Sequence, residues 1–205
     1  MKKILTLLLS LGLLFGCSTN QNSSHIKASN GDVVKINYVG KLNGTAFQGG
    51  SAEGALLELG SGTFIDGFEE QIVGMQLGSS QTIKVTFPAN YGSEDLAGKE
   101  TTFDIKLLNV YQEITSECQN GDIVKIDFVG KLDGTAFNGG TGNSYLLELG
   151  SGTFIDGFEE QLVGMQATKS KTIEVTFPNN YGSSELAGKD VTFDVAVNHI
   201  YREAK

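Results

Sequence analysis

The chain has 205 residues, enough for one large domain or two small ones, and is 40% hydrophobic and 19% charged, an ordinary balance for a folded protein. Its 27 glycines against 2 prolines point to tight turns between strands and away from a Pro-rich disordered chain. A formal charge of -9, with no basic run after Lys2 and Lys3, excludes the basic surface that a nucleic-acid partner needs.

Residues 1–16 read as an export leader: Lys2 and Lys3, then an apolar run from Ile4 to Phe15. That run falls short of the about 20 apolar residues a permanent span requires. It ends in Leu14-Phe15-Gly16-Cys17, which resembles a bacterial lipobox and implies that Cys17 is acylated and becomes the first mature residue. The expected location is then the cell envelope, lipid-anchored through Cys17. Ser18, in place of aspartate, favours the periplasmic face of the outer membrane if the cell is Gram-negative. Ordinary secretion with an incidental Cys17 thiol is the competing reading. Residues 17–30 are small and polar and read as a flexible tether.

From Gly31 onward period two dominates. Val34, Ile36 and Tyr38 alternate with Lys35, Asn37 and Val39; Ile83, Val85 and Phe87 alternate with Thr82, Lys84 and Thr86; Phe103, Ile105 and Leu107 alternate with Asp104, Lys106 and Leu108. Each run predicts a strand with one face on a core. Gly40, Asn43-Gly44 and Gly49-Gly50 predict turns between strands. Asp66 followed by Glu69 has the spacing of a capping box. Behind it Phe68, Ile72 and Met75 form the stripe of one helix ending near Gly78.

The whole pattern then repeats without insertion, so that Leu59 to Phe68 recur as Leu149 to Phe158 and about two-thirds of the paired positions are identical. The expected organisation is a domain at 31–112, a linker at 113–120 and a second domain at 121–202, each able to bury its own core. The expected fold class is α+β, each copy a curved antiparallel sheet wrapped on one short helix. Cys118 falls in the linker; it is read as an unremarkable thiol, with an intermolecular bridge as the alternative.

The inventory for chemistry is sparse. The only histidines are His25 and His199, so no His-dependent nucleophile system can be present in both copies, and no Cys/His cluster has zinc spacing. Glu69-Glu70 reads as a solvated, capping pair rather than a general acid and base, and Gly60-Ser61-Gly62 as a tight turn rather than a phosphate loop. No cofactor, metal or nucleic-acid partner is expected. What remains is an unusual load of aromatic residues: Tyr38, Phe47, Phe64, Phe68, Tyr91 and Phe103 in the first copy alone.

Taken together, Tyr38-Val39-Gly40, Gly44-Thr45-Ala46-Phe47, Leu59 to Glu70, Phe87-Pro88, Tyr91-Gly92, Leu96 to Lys99 and Phe103-Asp104-Ile105 resemble the FKBP-type peptidyl-prolyl cis-trans isomerases, and among them the isomerase domain of trigger factor. The resemblance covers both repeats. It implies catalysis of X–Pro isomerisation in unfolded or proline-containing polypeptides. It also implies a proline pocket built in copy one from Tyr38, Phe47, Ile65, Phe68, Tyr91 and Phe103, with Phe64 and Leu96 binding substrate. The matching set in copy two is Phe128, Phe137, Ile155, Phe158, Tyr181 and Phe193, with Phe154, Leu186 and Tyr145 binding substrate. Phe68 would form the floor; the Ile65 N–H and the Tyr91 hydroxyl would hold the substrate.

Copy one has Ala55 where copy two has Tyr145, so its pocket is expected to be more open and the second pocket to carry more of the turnover. Gln48 and Asn138 stand where relatives carry an acid, so tight binding of the family's macrolide inhibitors is not expected. The alternative function is a non-catalytic chaperone or adaptor with the same pockets.

Overall fold

A computed structural model describes residues 26–205; the leader, Cys17, His25 and the first part of the expected tether lie outside the described residues. Each repeat opens with a hairpin. In the first, β1 (Val33–Leu42) and β2 (Thr45–Glu58) are joined by Asn43-Gly44, with φ of 52° and 82°. Positive φ at both turn residues matches the right-handed twist of the flanking strands, and asparagine and glycine are the residues that tolerate it. β3 (Ser80–Thr86) pairs with the first half of β4 (Glu100–Ile114), whose other edge carries β1. Between β2 and β3 sits α1 (Glu69–Ile72). The second repeat follows the same order: β5 (Ile123–Leu132), β6 (Thr135–Glu148), α2 (Phe158–Leu162), β7 (Lys169–Thr176) and β8 (Asp190–Glu203).

The strand faces lie as their period predicts. Val34, Ile36, Ile83, Val85, Phe87, Phe103, Ile105 and Leu107 are all buried in one cluster with Phe68 and Ile72, and their counterparts form a second cluster. The helices are much shorter than the periodicity suggests, four and five residues. Val73 leaves the helical region at ψ 128° and Gly74 follows at φ 90°, so the chain turns away after one turn of helix. Met75 is still buried, but from the turn and not from the helix. The molecule is therefore mostly strand, and α+β fits it only loosely.

Two other expectations change. Gly40 and Gly49-Gly50 lie inside β1 and β2 rather than between strands. A Cβ on Gly40 would come within 2.6 Å of the Phe47 and Phe103 rings, and one on Gly50 within 2.3 Å of Phe47. Gly40 and Gly50 let an aromatic ring lie against the backbone, which a turn-based reading cannot detect. Nor are residues 26–30 a free tether. Ala28 is buried and bonded through its N–H to the Met75 carbonyl and through its carbonyl to the Gly74 N–H. Cys118 occupies the equivalent place in copy two, with the same two backbone bonds to Met165 and Gly164. It is 2% exposed, its thiol donates to the Leu162 carbonyl, and burial pushes its pKa up, all of which disfavours an intermolecular bridge.

The copies are joined by more than a connector. β4 runs through positions 113 and 114, and Tyr111, Gln112, Glu113 and Ile114 pair with Glu203, Arg202, Tyr201 and Ile200 of β8. The result is one eight-stranded antiparallel sheet of order β2-β1-β4-β8-β5-β6, with β3 and β7 on β4 and β8. Gln112 and Arg202 are equivalent positions of the repeat, so a local twofold axis passes between them. Around it lies a shared buried cluster of Val33, Tyr111, Ile123 and Tyr201, flanked by Leu56 and Leu146. Two reciprocal ion pairs cross the same axis, Lys35–Glu148 at 2.7 Å and Lys125–Glu58 at 2.6 Å, and the Tyr201 hydroxyl donates to Glu58. Desolvation, with Glu148 and Glu203 nearby, pushes the Tyr111 phenol up to about 12, and desolvation beside Glu58 raises Tyr201, so both interface phenols stay protonated.

Glu58→Ala would strand the half-buried Lys125 ammonium and the Tyr201 hydroxyl together. The expected cost is about 1–3 kcal/mol, read as a lower urea midpoint. Because the two copies share this cluster, both halves should move in a single transition. A midpoint unchanged from the parent would show that the carboxylate contributes nothing at the joint.

Candidate functional site: an aromatic cluster in each repeat

The rings predicted for copy one do converge. Phe68, 0% exposed, is delivered by the turn before α1 and stacks on Phe64 with centroids 4.5 Å apart. Phe103 from β4 meets it edge-on at 5.2 Å and Tyr38 from β1 at 5.8 Å. Phe47 of β2 closes a further side against Phe103 at 5.8 Å. Edge-to-face contacts of this kind set the quadrupoles of neighbouring rings favourably and add to what area burial alone supplies. The rings surround a cavity of about 250 Å³ bordered also by Ile65, Tyr91, Phe87, Thr63 and Gly49-Gly50.

Some of this border was not legible as site. Phe87 lies under Tyr91, ring centroids 4.6 Å apart, and touches Phe47. Its alternation with Thr86 marked it as core, and nothing in that alternation shows that its edge reaches the cavity. Thr63 and the glycines present backbone and a hydroxyl, for which a search for rings carries no signal. Leu96, conversely, is buried in the core cluster and does not border the cavity; Leu186 likewise packs in the second core.

Copy two repeats the arrangement. Phe158, 0% exposed, lies 4.5 Å from Phe154 and 5.2 Å from Phe193; Phe128 stands 6.0 Å from Phe158, Phe137 5.8 Å from Phe193, and Tyr181 4.4 Å from Phe177. Ile155 is half-buried beside Phe154. The difference is Tyr145, 45% exposed, whose ring rests on Phe154 at 5.5 Å and Phe128 at 6.2 Å. In copy one Ala55 stands in that place, half-buried against the core.

Polar groups around the first cavity are few and well defined. Burial raises the pKa of the Tyr38 phenol, and Tyr91 is 42% exposed at the rim. The Ile65 carbonyl accepts the Phe68 N–H, while the Ile65 N–H donates to nothing among the described residues. The loop that carries Ile65 is held by Glu69, and here the expected capping pair is overturned. Glu69 is 4% exposed, α1 has no side-chain cap, and Asp66 is exposed. The Glu69 carboxylate instead accepts the N–H groups of Gly60, Gly62 and Phe64 at 2.8, 3.1 and 3.1 Å, and the Ser61 hydroxyl. Glu159 does the same for Gly150, Gly152, Thr153 and Phe154. The Leu59–Thr63 turn points its donors inward, and an ionised carboxylate is the one side chain that can satisfy several of them at once. Burial alone would raise the Glu69 pKa, but these hydrogen bonds outweigh it and hold it below the usual carboxylate value; Glu159 behaves alike. Only Glu70 is the solvated carboxylate the spacing suggests.

The profile of the FKBP-type peptidyl-prolyl cis-trans isomerases matches residues 24–108 and 115–198. Among curated proteins, the trigger factor of Parvibaculum lavamentivorans is 57% identical over 84 residues, 41% of this chain and 16% of that protein. The trigger factor of Pelotomaculum thermopropionicum is 41% identical over 133 residues, 63% of this chain and 30% of that protein. The chain thus spans less than a third of the length of these relatives. A crystal structure of the three FKBP domains of wheat FKBP73 aligns over 85% of this chain and 89% of that one, with 16% identity and a TM-score of 0.36.

Proposed function

Since the chain belongs to the FKBP-type peptidyl-prolyl cis-trans isomerase family, we propose that each repeat catalyses X–Pro isomerisation in unfolded polypeptides delivered to the cell envelope. The observation that carries the reading is the ring-lined cavity of about 250 Å³ with the buried Phe68 as floor and the unpaired Ile65 N–H beside it.

The reaction needs neither nucleophile nor base. A planar X–Pro amide rotates over a barrier of about 18–20 kcal/mol set by its resonance. At the barrier the amide is twisted and has lost charge separation. An aromatic cavity that excludes water favours this less polar form over the planar one. The Ile65 N–H accepted by a substrate carbonyl, and the Tyr91 hydroxyl at the rim, would fix the chain on either side of the twisting bond. Removing about 4 kcal/mol from the barrier gives roughly a thousandfold in rate, at 1.36 kcal/mol per tenfold. Shape and a few oriented dipoles can supply that much. Slow steps of tens of seconds in the folding of exported proteins are the process this would speed.

A protease-coupled assay on the mature chain with a single-proline peptide tests this directly. The expected result is turnover well above the uncatalysed rate. Background turnover with retained binding to unfolded protein would replace the enzyme by an adaptor, the reading that the exposed rim residues Tyr91, Tyr145 and Tyr181 otherwise favour.

Localisation is the second part of the proposal. Acylation of Cys17 would hold both cavities close to a membrane, with a few residues of polar chain between the anchor and Ile26. Cys17→Ser is expected to move the protein from the membrane fraction to the soluble one without changing its turnover. A variant still found with membranes would remove the anchor from this account.

A further inference from the structure

We propose that the cleft between the two repeats holds an extended stretch of client polypeptide whose two ends sit in the aromatic cavity of the first repeat and on the equivalent ring cluster of the second, so that one client chain is gripped twice. The inference rests on the reading of those two ring clusters as proline sites.

Four observations lead to it. The first is the cleft itself, about 940 Å³, lying on the local twofold and lined by equivalent residues of both copies, Leu56 with Leu146, Glu58 with Glu148 and Thr63 with Thr153. The second is continuity. Thr63 borders both this cleft and the first aromatic cavity. At the other end Tyr145 borders the cleft while its ring rests on Phe154 of the second cluster. The third is the lining strands: β2 and β6 are the two ends of the sheet order, so each has an edge without a strand neighbour. An extended chain can use the backbone donors and acceptors of such an edge regardless of its sequence. The fourth is rigidity. The β4–β8 pairing and the Lys35–Glu148 and Lys125–Glu58 bridges fix the two ring clusters relative to one another.

The chemistry of the cleft selects a polypeptide over a charged small ligand. Its aliphatic and hydroxyl side chains suit a backbone, and its two lysines are already neutralised by glutamates across the axis. When two sites on a rigid body are bridged by a chain of matching length, the second binding step becomes intramolecular and affinity rises without any new contact in either cavity.

The test uses the mature chain and synthetic peptides carrying one leucyl-proline site or two, the two joined by Gly/Ser spacers of roughly 4 to 20 residues. The readout is the ratio of two-site to one-site affinity, by fluorescence anisotropy, with stoichiometry from calorimetry. At a matching spacer the two-site peptide should bind one to one and about tenfold tighter or more, the gain falling away at shorter and longer spacers. In the double variant Glu53→Trp, Asn143→Trp, two exposed cleft positions that belong to neither ring cluster, that ratio should collapse to the roughly twofold statistical factor. Because it is a ratio within one protein, it cancels any effect of the substitutions on a single site. A ratio of about two at every spacer in the parent chain would overturn the proposal while leaving the isomerase reading intact. So would a gain that survives the plugged cleft. Absence of both binding and turnover with one-site peptides would overturn the isomerase reading, and this inference with it.

Discussion

Alanine at Phe68 and Phe158 together is expected to bring prolyl-peptide turnover to the uncatalysed rate and to cost about 3–5 kcal/mol of stability at each position. Both rings are completely buried, and each touches three other rings. Removing one deletes the floor of a cavity and leaves a void lined by ring edges that cannot collapse, because Gly40 and Gly50 already hold Phe47 and Phe103 against the backbone. The two effects can be separated. Phe68→Leu and Phe158→Leu keep most of the volume and should retain the fold while losing the flat surface on which a proline ring stacks. Turnover measured at a temperature where circular dichroism shows the variants folded then reports the site alone. Of the single alanine variants, Phe158→Ala should lose more turnover, because Tyr145 adds a ring to the second cluster that Ala55 does not add to the first. A folded double-alanine protein that still turned over peptide would remove the cavities from the mechanism.

How much of this was legible in the sequence depends on the range over which the determining interaction acts. Strand faces follow from a period of two, and Asn43-Gly44 from the backbone angles that only a few residues tolerate, so both could be read locally. The aromatic residues could be named but not arranged. Their convergence depends on β1 lying between β2 and β4, a pairing of residues distant in the chain. The misreadings have the same origin. Gly40 carries a turn signal, yet its role is set by the Phe103 and Phe47 rings that arrive from two other strands. Asp66 and Glu69 have the spacing of a capping box, but inward-pointing donors in the preceding turn take the carboxylate instead. Helical periodicity from Phe68 to Met75 survives as burial although the helix itself ends at Ile72, since what the core selects is apolar side chains and not helical backbone. Ala28 and Cys118 sit in stretches polar enough to read as linker, and a single small residue at equivalent positions is too weak a pattern to reveal that each is packed. The joint between β4 and β8 could not be seen at all. A repeat with its own core predicts two beads on a string, and the edge pairing that merges them leaves no periodic trace.

The buried carboxylates make the fold, and the position of the Ile65 N–H, sensitive to acid in a direction that can be fixed in advance. Glu69 and Glu159 have folded pKa values lowered below the ordinary value of about 4.3. Their contribution to stability is therefore complete above that ordinary value and is lost as pH falls through the lowered folded one. Half-buried Asp104, Asp194 and Asp127 are lowered too and act with the same sign, whereas Asp32, raised by burial, acts with the opposite one. A difference measurement isolates the glutamates. Glu69→Ala leaves three backbone donors facing a space without an acceptor, at about 1 kcal/mol each where water can partly reach them, and so about 3 kcal/mol at pH 7. For a chain of this size that is an unfolding midpoint lower by roughly 10 °C. The gap between parent and variant should hold from neutrality down to about pH 5 and then narrow as acid protonates the parent's carboxylate. Glu69→Gln, which keeps the shape and one acceptor but cannot titrate, should fall between the two and remove the glutamate's share of the acid slope. The same loosening of the 60–65 loop should raise KM for prolyl peptides more than it lowers kcat, because the carboxylate touches no substrate and acts only by holding the Ile65 N–H and the Phe64 ring in place. A parent and a Glu69→Ala variant whose stabilities fell in parallel from pH 5 to pH 3 would show that folding does not lower the carboxylate's pKa, and the loop would need a different anchor.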